Sequence, residues 1–390
     1  MKKIILLFTA LLFCIQLFSS PGTSAREIHY REKPRVLNIN FNGETIKGYY
    51  LLLDFRTAEE KRRDRERASL SGDVIIFLHG HAQRPNDAYS LTANLALLSK
   101  SGIVIIPVCD TPYGADKNFR GDRGKEVILM HIIRFALLNM DIKIEEFTPK
   151  TGMKIKITST SVTKTSGHNN AVINAKSTLI GWSHGALLAR RLAHSYPESV
   201  NSLVQMAPAG YKEWGSNSCA KTACLSTSFT AESMRIGFGI FRGQTKEIFG
   251  SGCGIIKGVS GDTMRSCSSC LSGYFNPLKL FRANRDTAET AVLATDDNFP
   301  LPQIQNITVI FASWDGLFRA DDLGGIENRS MPSQQEIEVF FQKYYPSSVK
   351  SGAVLNLMAL PGNHIGPLVY SKEYSRSALK SIGQLREVSE

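Results

Sequence analysis

Six short, almost wholly apolar runs recur along the chain: Val74–Leu78, Ile103–Val108, Thr178–Trp182, Leu203–Met206, Ile307–Phe311 and Val354–Leu360. A strand with one face in water alternates apolar and polar residues, whereas a strand buried on both faces does not. These runs therefore suit the interior of a parallel sheet. Helix-periodic stretches lie among them at Asp87–Lys100, Lys125–Met140, His184–Tyr196 and Gln334–Tyr345. Parallel neighbours need long crossovers, usually helical. The alternation thus predicts βαβ units and an α/β chain with a doubly wound, mostly parallel sheet. Ahead of it, Arg35–Phe41 and Ile46–Phe55 flank Asn42-Gly43, which predicts a β-hairpin. The mixed-sign stretch Arg56–Arg67 reads as a solvated helix or loop rather than a binding patch.

Two stretches break the rhythm. Residues 141–176 are rich in Thr, Ser and Lys, and residues 211–302 hold a cysteine cluster and many glycines. Segments this long between core elements are usually functional or carry structure of their own. Both read as insertions in a single domain spanning residues 26–390. In the second, Phe238, Ile240, Phe241, Ile248, Phe249, Ile255 and Ile256 are interspersed with glycines. Two readings stay open: a lid presenting apolar surface to an acyl chain or aromatic group, or simple packing of the insertion onto the core.

The first 25 residues read as an export signal. Lys2 and Lys3 precede an apolar run from Ile4 to Phe18, and small residues lead up to Ala25. The run falls short of the ~20 residues of a bilayer span. A secreted or periplasmic location is therefore expected, with cleavage near Ala25. Cleavage would take the formal net charge from +11 to +9 and remove Cys14. The remaining cysteines are Cys109, Cys219, Cys224, Cys253, Cys267 and Cys270. An even set in an oxidising compartment favours disulfides over a zinc site, and the pairing is left open. The basic excess fits peripheral contact with an anionic membrane surface, and equally fits solubility alone. No recognisable nucleic-acid module is present, and no cofactor or metal is expected.

One motif carries chemistry. Gly181-Trp182-Ser183-His184-Gly185 has the form G-x-S-x-G, following an apolar run and opening a helix whose Leu187, Leu188, Leu192 and Ala193 suit a sheet. A sharp strand–turn–helix needs small residues around the serine, and the helix's first amides then lie beside its hydroxyl. An ordinary βα turn with a capping serine is the plainer reading.

With these residues the chain resembles the α/β-hydrolase superfamily, of serine esterase or lipase type, over residues 35–140, 177–210 and 303–390. The resemblance implies a triad in the order Ser, acid, His. Of eight histidines, His184, His194 and His364 follow Ser183. His364, in Pro361-Gly362-Asn363-His364-Ile365-Gly366 after the last apolar run, matches the family position of the base. Asp315 follows Ile307–Phe311 and matches the acid, with Asp321 and Asp322 as alternatives. The oxyanion would be held by the backbone N–H of His184 and that of His81, with Ala82 as alternative, in His79-Gly80-His81-Ala82. Insertions after Ala207-Pro208 are lids in this family, so residues 211–302 are expected to form a cysteine-containing lid. The implied activity is cleavage of a small-molecule acyl ester or lipid. A serine peptidase on the same scaffold and a non-catalytic binding protein remain alternatives, and the intact Ser183, Asp315, His364 order argues against the latter.

Overall fold

The computed structural model describes residues 33–41, 44–80, 88–109, 124–140, 142–144, 157–159, 173–211, 220, 222–224, 226–228, 295–313, 315 and 331–387. The expected export signal, the bulk of the 211–302 insertion, His81, Ala82, Asp321 and Asp322 lie outside these residues.

The hairpin comes first: β1 (Arg35–Phe41) and β2 (Glu44–Asp54) are antiparallel, with Phe41 opposite Glu44. Then follow α1 (Ala58–Arg67), β3 (Val74–Leu78), α2 (Tyr89–Leu98), β4 (Ile103–Cys109) and α3 (Gly124–Leu138). The 141–176 stretch supplies three short strands, β5 (Ile142–Ile144), β6 (Ile157–Ser159) and β7 (Ile173–Ala175). The second half runs β8 (Ser177–Trp182), α4 (His184–Ser195), β9 (Val200–Met206), β10 (Asn306–Ala312), α5 (Gln334–Tyr344), α6 (Pro346–Lys350), β11 (Val354–Leu360), α7 (Gly366–Val369) and α8 (Ser371–Ser381).

Among the described residues one sheet has nine strands in the order β11-β10-β9-β8-β3-β4-β2-β1-β6. From β11 to β4 every pairing is parallel, and β2, β1 and β6 extend that edge antiparallel. The chain builds from β3 to β4 in one direction, then restarts at β8 on the other side of β3. The reversal lies between β3 and β8, and open α/β sheets bind ligands outside the carboxyl ends of strands at such a point.

Successive strand side chains point to opposite faces, and both faces are apolar here. On one, Ile76, Leu78, Leu179, Leu203 and Val309 pack with α3, α4 and α5 through Ile132, Leu187, Leu192 and Phe340. On the other, Ile75, Phe77, Ile180, Trp182, Val204 and Ile310 pack with α2 and α8 through Leu91, Leu95, Tyr374 and Leu379. This two-sided burial is why the interior strands read as continuous apolar runs; β11, which the same reading placed in the interior, lies at the sheet's edge, with only Leu357 buried and Val354 exposed.

The stretch Arg56–Arg67 is mostly helix. Thr57 caps α1 reciprocally with Glu60, and Arg56 bridges Asp54 and the buried Asp64 at 3.0 Å each. Among the described residues no helix is long and apolar enough to cross a membrane. Among the described residues Cys224 is an exposed free thiol. The side chains of the other cysteines lie outside the described residues.

Candidate active site

Ser183 stands at the carboxyl end of β8 with φ 56° and ψ −123°, a backbone that L-residues rarely adopt. Its neighbours make this turn sterically feasible. A Cβ on Gly181 would lie 2.3 Å from the Gly185 carbonyl oxygen, and one on Gly185 would lie 2.0 Å from that of Leu78. Only hydrogen at both positions lets α4 start directly above β3. The Ser183 carbonyl accepts from the amides of Ala186 at 3.0 Å and Ala209 at 3.1 Å, which holds the turn from both sides.

Two further parallel strands present the remaining groups on the same sheet end. The Asp315 turn follows β10 and the His364 loop follows β11. Backbone hydrogen bonds continue past the strand ends and set their spacing: Ser183 N to Met206 O at 3.0 Å, Ala207 N to Ile310 O at 2.8 Å, and Ser313 N to Leu360 O at 2.9 Å. His364 Nδ1 lies 2.8 Å from Asp315 Oδ2, and His364 Nε2 lies 2.8 Å from Ser183 Oγ. A carboxylate only accepts, so Nδ1 carries the proton and Nε2 accepts from the serine hydroxyl. All three groups are buried: Ser183 is 3% exposed, Asp315 2% and His364 6%. Their mutual electrostatics are therefore little screened.

The structure thus brings Ser183, Asp315 and His364 together. His184 opens α4, where a first-turn amide has no intrahelical acceptor. His79 and Gly80 follow β3 at the sheet reversal, and His79 Nδ1 donates to the Gly80 carbonyl at 2.8 Å. His194, the other histidine beyond the elbow, lies well down α4 against the Pro300 carbonyl at 2.9 Å.

Other residues about the site were not evident from sequence. Trp182 Nε1 donates to the His364 carbonyl at 3.0 Å. Tyr374 on α8 donates to the Pro361 carbonyl at 3.2 Å, at the start of the His364 loop. Burial, reinforced by the Asp315 charge and then by Tyr370 and Glu373, pushes this phenol well above its ordinary pKa and keeps it a neutral donor. Each contact joins residues of separate elements, so no local pattern announces it. Among the described residues no three His, Cys, Asp or Glu side chains converge as a metal site would require.

No family model and no curated protein matches the sequence. Solved structures do. A probable hydrolytic enzyme from Pseudomonas aeruginosa PAO1 aligns with a TM-score of 0.50 at 14% identity, over 93% of this chain and 97% of that one. An esterase from Thermogutta terrifontis aligns at 0.48 and 11% identity, over 90% and 99%. An α/β-hydrolase enzyme from a Medee basin deep-sea metagenome library aligns at 0.45 and 13%, over 88% and 97%. The first of these bears on the fold, and at 14% identity on the fold alone; with the strand order and the Ser183 turn described above, the chain has the α/β-hydrolase fold.

Proposed function

We propose that this chain of α/β-hydrolase fold is an exported serine hydrolase that cleaves carboxylic esters through an acyl-enzyme. One observation carries the reading: the continuous Ser183–His364–Asp315 hydrogen-bond chain, 2.8 Å at each link, at the sheet's carboxyl edge.

A serine hydroxyl is a weak nucleophile until a base takes its proton. His364 Nε2 takes it as Ser183 Oγ attacks the acyl carbonyl. The Asp315 carboxylate fixes the imidazole tautomer and stabilises the imidazolium. The backbone N–H groups of His184 and His81 are assigned to the oxyanion. His364 then gives its proton to the departing alcohol, and the same imidazole activates the water that releases the acid. General acid–base assistance of this kind is worth about 10²–10⁴ in rate. An ester is the easier acyl substrate for such a triad, because an alcohol leaves more readily than an amine. The basic, apolar leader agrees with export to the periplasm or beyond.

The test is turnover of a p-nitrophenyl acyl ester, with labelling by a fluorophosphonate probe. Ser183→Ala is expected to abolish both while leaving circular dichroism unchanged. Failure of the wild-type chain to label, or undiminished turnover in Ser183→Ala, overturns the assignment. N-terminal sequencing of the mature protein from the envelope or medium checks export, with a start near Arg26 expected.

A further inference from the structure

His364 sits in a loop, Pro361–Ile365, between β11 and α7. The loop's own bonds give it shape. Gly362 adopts φ +112°, Asn363 Oδ1 accepts from the Ile365 amide at 3.1 Å, and the Asn363 carbonyl accepts from the Gly366 amide at 2.7 Å. None of these fixes the loop relative to the nucleophile.

Trp182 does reach across. It immediately precedes Ser183 in β8, and strand alternation sends its indole to the face covered by α2 and α8. There the ring lies 6.0 Å from the His364 imidazole, centroid to centroid, inclined by 34°. Its Nε1–H donates to the backbone carbonyl of His364 at 3.0 Å, and the contact is buried. The residue beside the nucleophile therefore holds the main chain of the base. A displacement of about 1 Å in such a constellation costs on the order of 10²-fold in rate.

We infer that Trp182 is a positioning residue: its indole N–H sets the height of His364 over Ser183, so that one strand end carries the nucleophile and registers the base. The inference rests on the serine-hydrolase reading above. It gives the variable second position of the G-x-S-x-G motif a specific role in this chain.

The experiment uses the full chain with two replacements at the position. Trp182→Phe keeps an aromatic ring and loses the donor. Benzothienylalanine at position 182, introduced by codon suppression, keeps the bicyclic shape and loses only the N–H. Both are expected to lower kcat for a p-nitrophenyl ester about tenfold to a hundredfold, with KM changed less than about twofold. Fluorophosphonate labelling should slow in parallel. Leu95→Ala, a void on the same apolar face away from the site, is expected to lower the unfolding midpoint without touching kcat. Full activity in the benzothienyl variant, or a Leu95→Ala chain that loses kcat equally, overturns the inference. The low-field proton resonance of the His364–Asp315 hydrogen bond provides a readout independent of turnover. It should broaden or shift in the benzothienyl variant, and an unaltered signal overturns the positioning role. If wild type fails to label yet this signal responds, the hydrolase reading falls while the Trp182 contact to His364 stands.

Discussion

Gly185 shows how little freedom the elbow leaves. A methyl group there would meet two backbone oxygens of β3 and its following loop, Leu78 at 2.0 Å and His79 at 2.5 Å. Backbone cannot step aside as a side chain can, so Gly185→Ala should cost at least the upper end of the ~1–3 kcal/mol typical of overpacking. Gly352 is the useful contrast. Its φ is +75°, but a Cβ there would meet no atom within 4 Å, so Gly352→Ala should cost only the left-handed strain of about 1–2 kcal/mol. Urea unfolding of both variants checks the order. Asp315 makes a second residue-scale case. It bonds to His364, and sequence alone could not separate it from Asp321 or Asp322. Asp315→Asn should lower kcat by about 10³–10⁴-fold, because an amide no longer enforces the productive tautomer. Asp321→Asn and Asp322→Asn should leave turnover close to wild type; a comparable loss in either would reassign the acid. The nucleophile was legible because its glycines and serine are contiguous. The acid and base were legible only through chain order, and Trp182 was not legible at all, since its role is a contact 182 residues away.

Most elements were legible in proportion to how much of them is buried; β11 is the exception, an apolar run at the sheet's edge with only Leu357 buried. Strands enclosed on both faces, such as β3 and β8, announced themselves as apolar runs, and α4 as a helix with ten buried residues in succession. Helix α8 did not. Only Tyr374, Ser375, Ala378 and Leu379 are buried along its eleven residues, so its apolar stripe is thin against Lys, Arg, Glu and Ser. Strands β5, β6 and β7 have three residues each, too few for any period to emerge. The helix-or-loop ambiguity at α1 has a similar source, since its anchoring is polar. Thr57→Ala removes the capping box and should cost about 1 kcal/mol. Arg56→Ala should cost more, about 3–5 kcal/mol, because it strands the buried Asp64 without its cation. The pH profile separates the two. Burial opposes the Asp54 charge, but hydrogen bonds from Arg56 and Lys61 and the Arg56 charge outweigh it and hold the carboxyl below 3.8. A folded pKa below the unfolded one means stability that is present above pH 3.8 and lost as pH falls through the folded value. Wild type and Thr57→Ala should therefore lose stability steeply at acid pH, and Arg56→Ala should lose less. Unfolding midpoints followed from near neutrality down through the ordinary carboxylate range measure this.

Across the whole molecule, one buried polar network joins the places where residues 211–302 leave and rejoin the core. Arg190, fully buried on α4, donates to Asp296 at 3.2 Å, to the Phe299 carbonyl at 3.3 Å and to the Tyr344 carbonyl at 2.7 Å. Its guanidinium lies 4.0 Å from the Tyr345 ring centroid. The Tyr345 hydroxyl in turn bonds Tyr211 and Gln205 of β9, and Tyr211 also donates to Gln205 at 2.6 Å. Departure at Tyr211 and return at Asp296 are thus tied to one another through α4, β9 and the end of α5. The arrangement keeps β9 and β10 adjacent and parallel although some hundred residues separate them in the chain. A planar cation with five donors is suited to such a junction, and a lysine could not serve all three acceptors in the plane while stacking on Tyr345. Arg190→Met is expected to destabilise the fold by about 3 kcal/mol, because it leaves the largely buried Asp296 carboxylate without its cation, held only by the Ser347 amide. Asp296→Asn should cost less, since Arg190 retains two carbonyls and the ring. The double variant should cost less than the two single losses together, because removing the cation already forfeits what the carboxylate contributes. A urea double-mutant cycle reads this coupling. Strict additivity would mean that Arg190 serves the carbonyls alone, and that the return at Asp296 is held by other contacts.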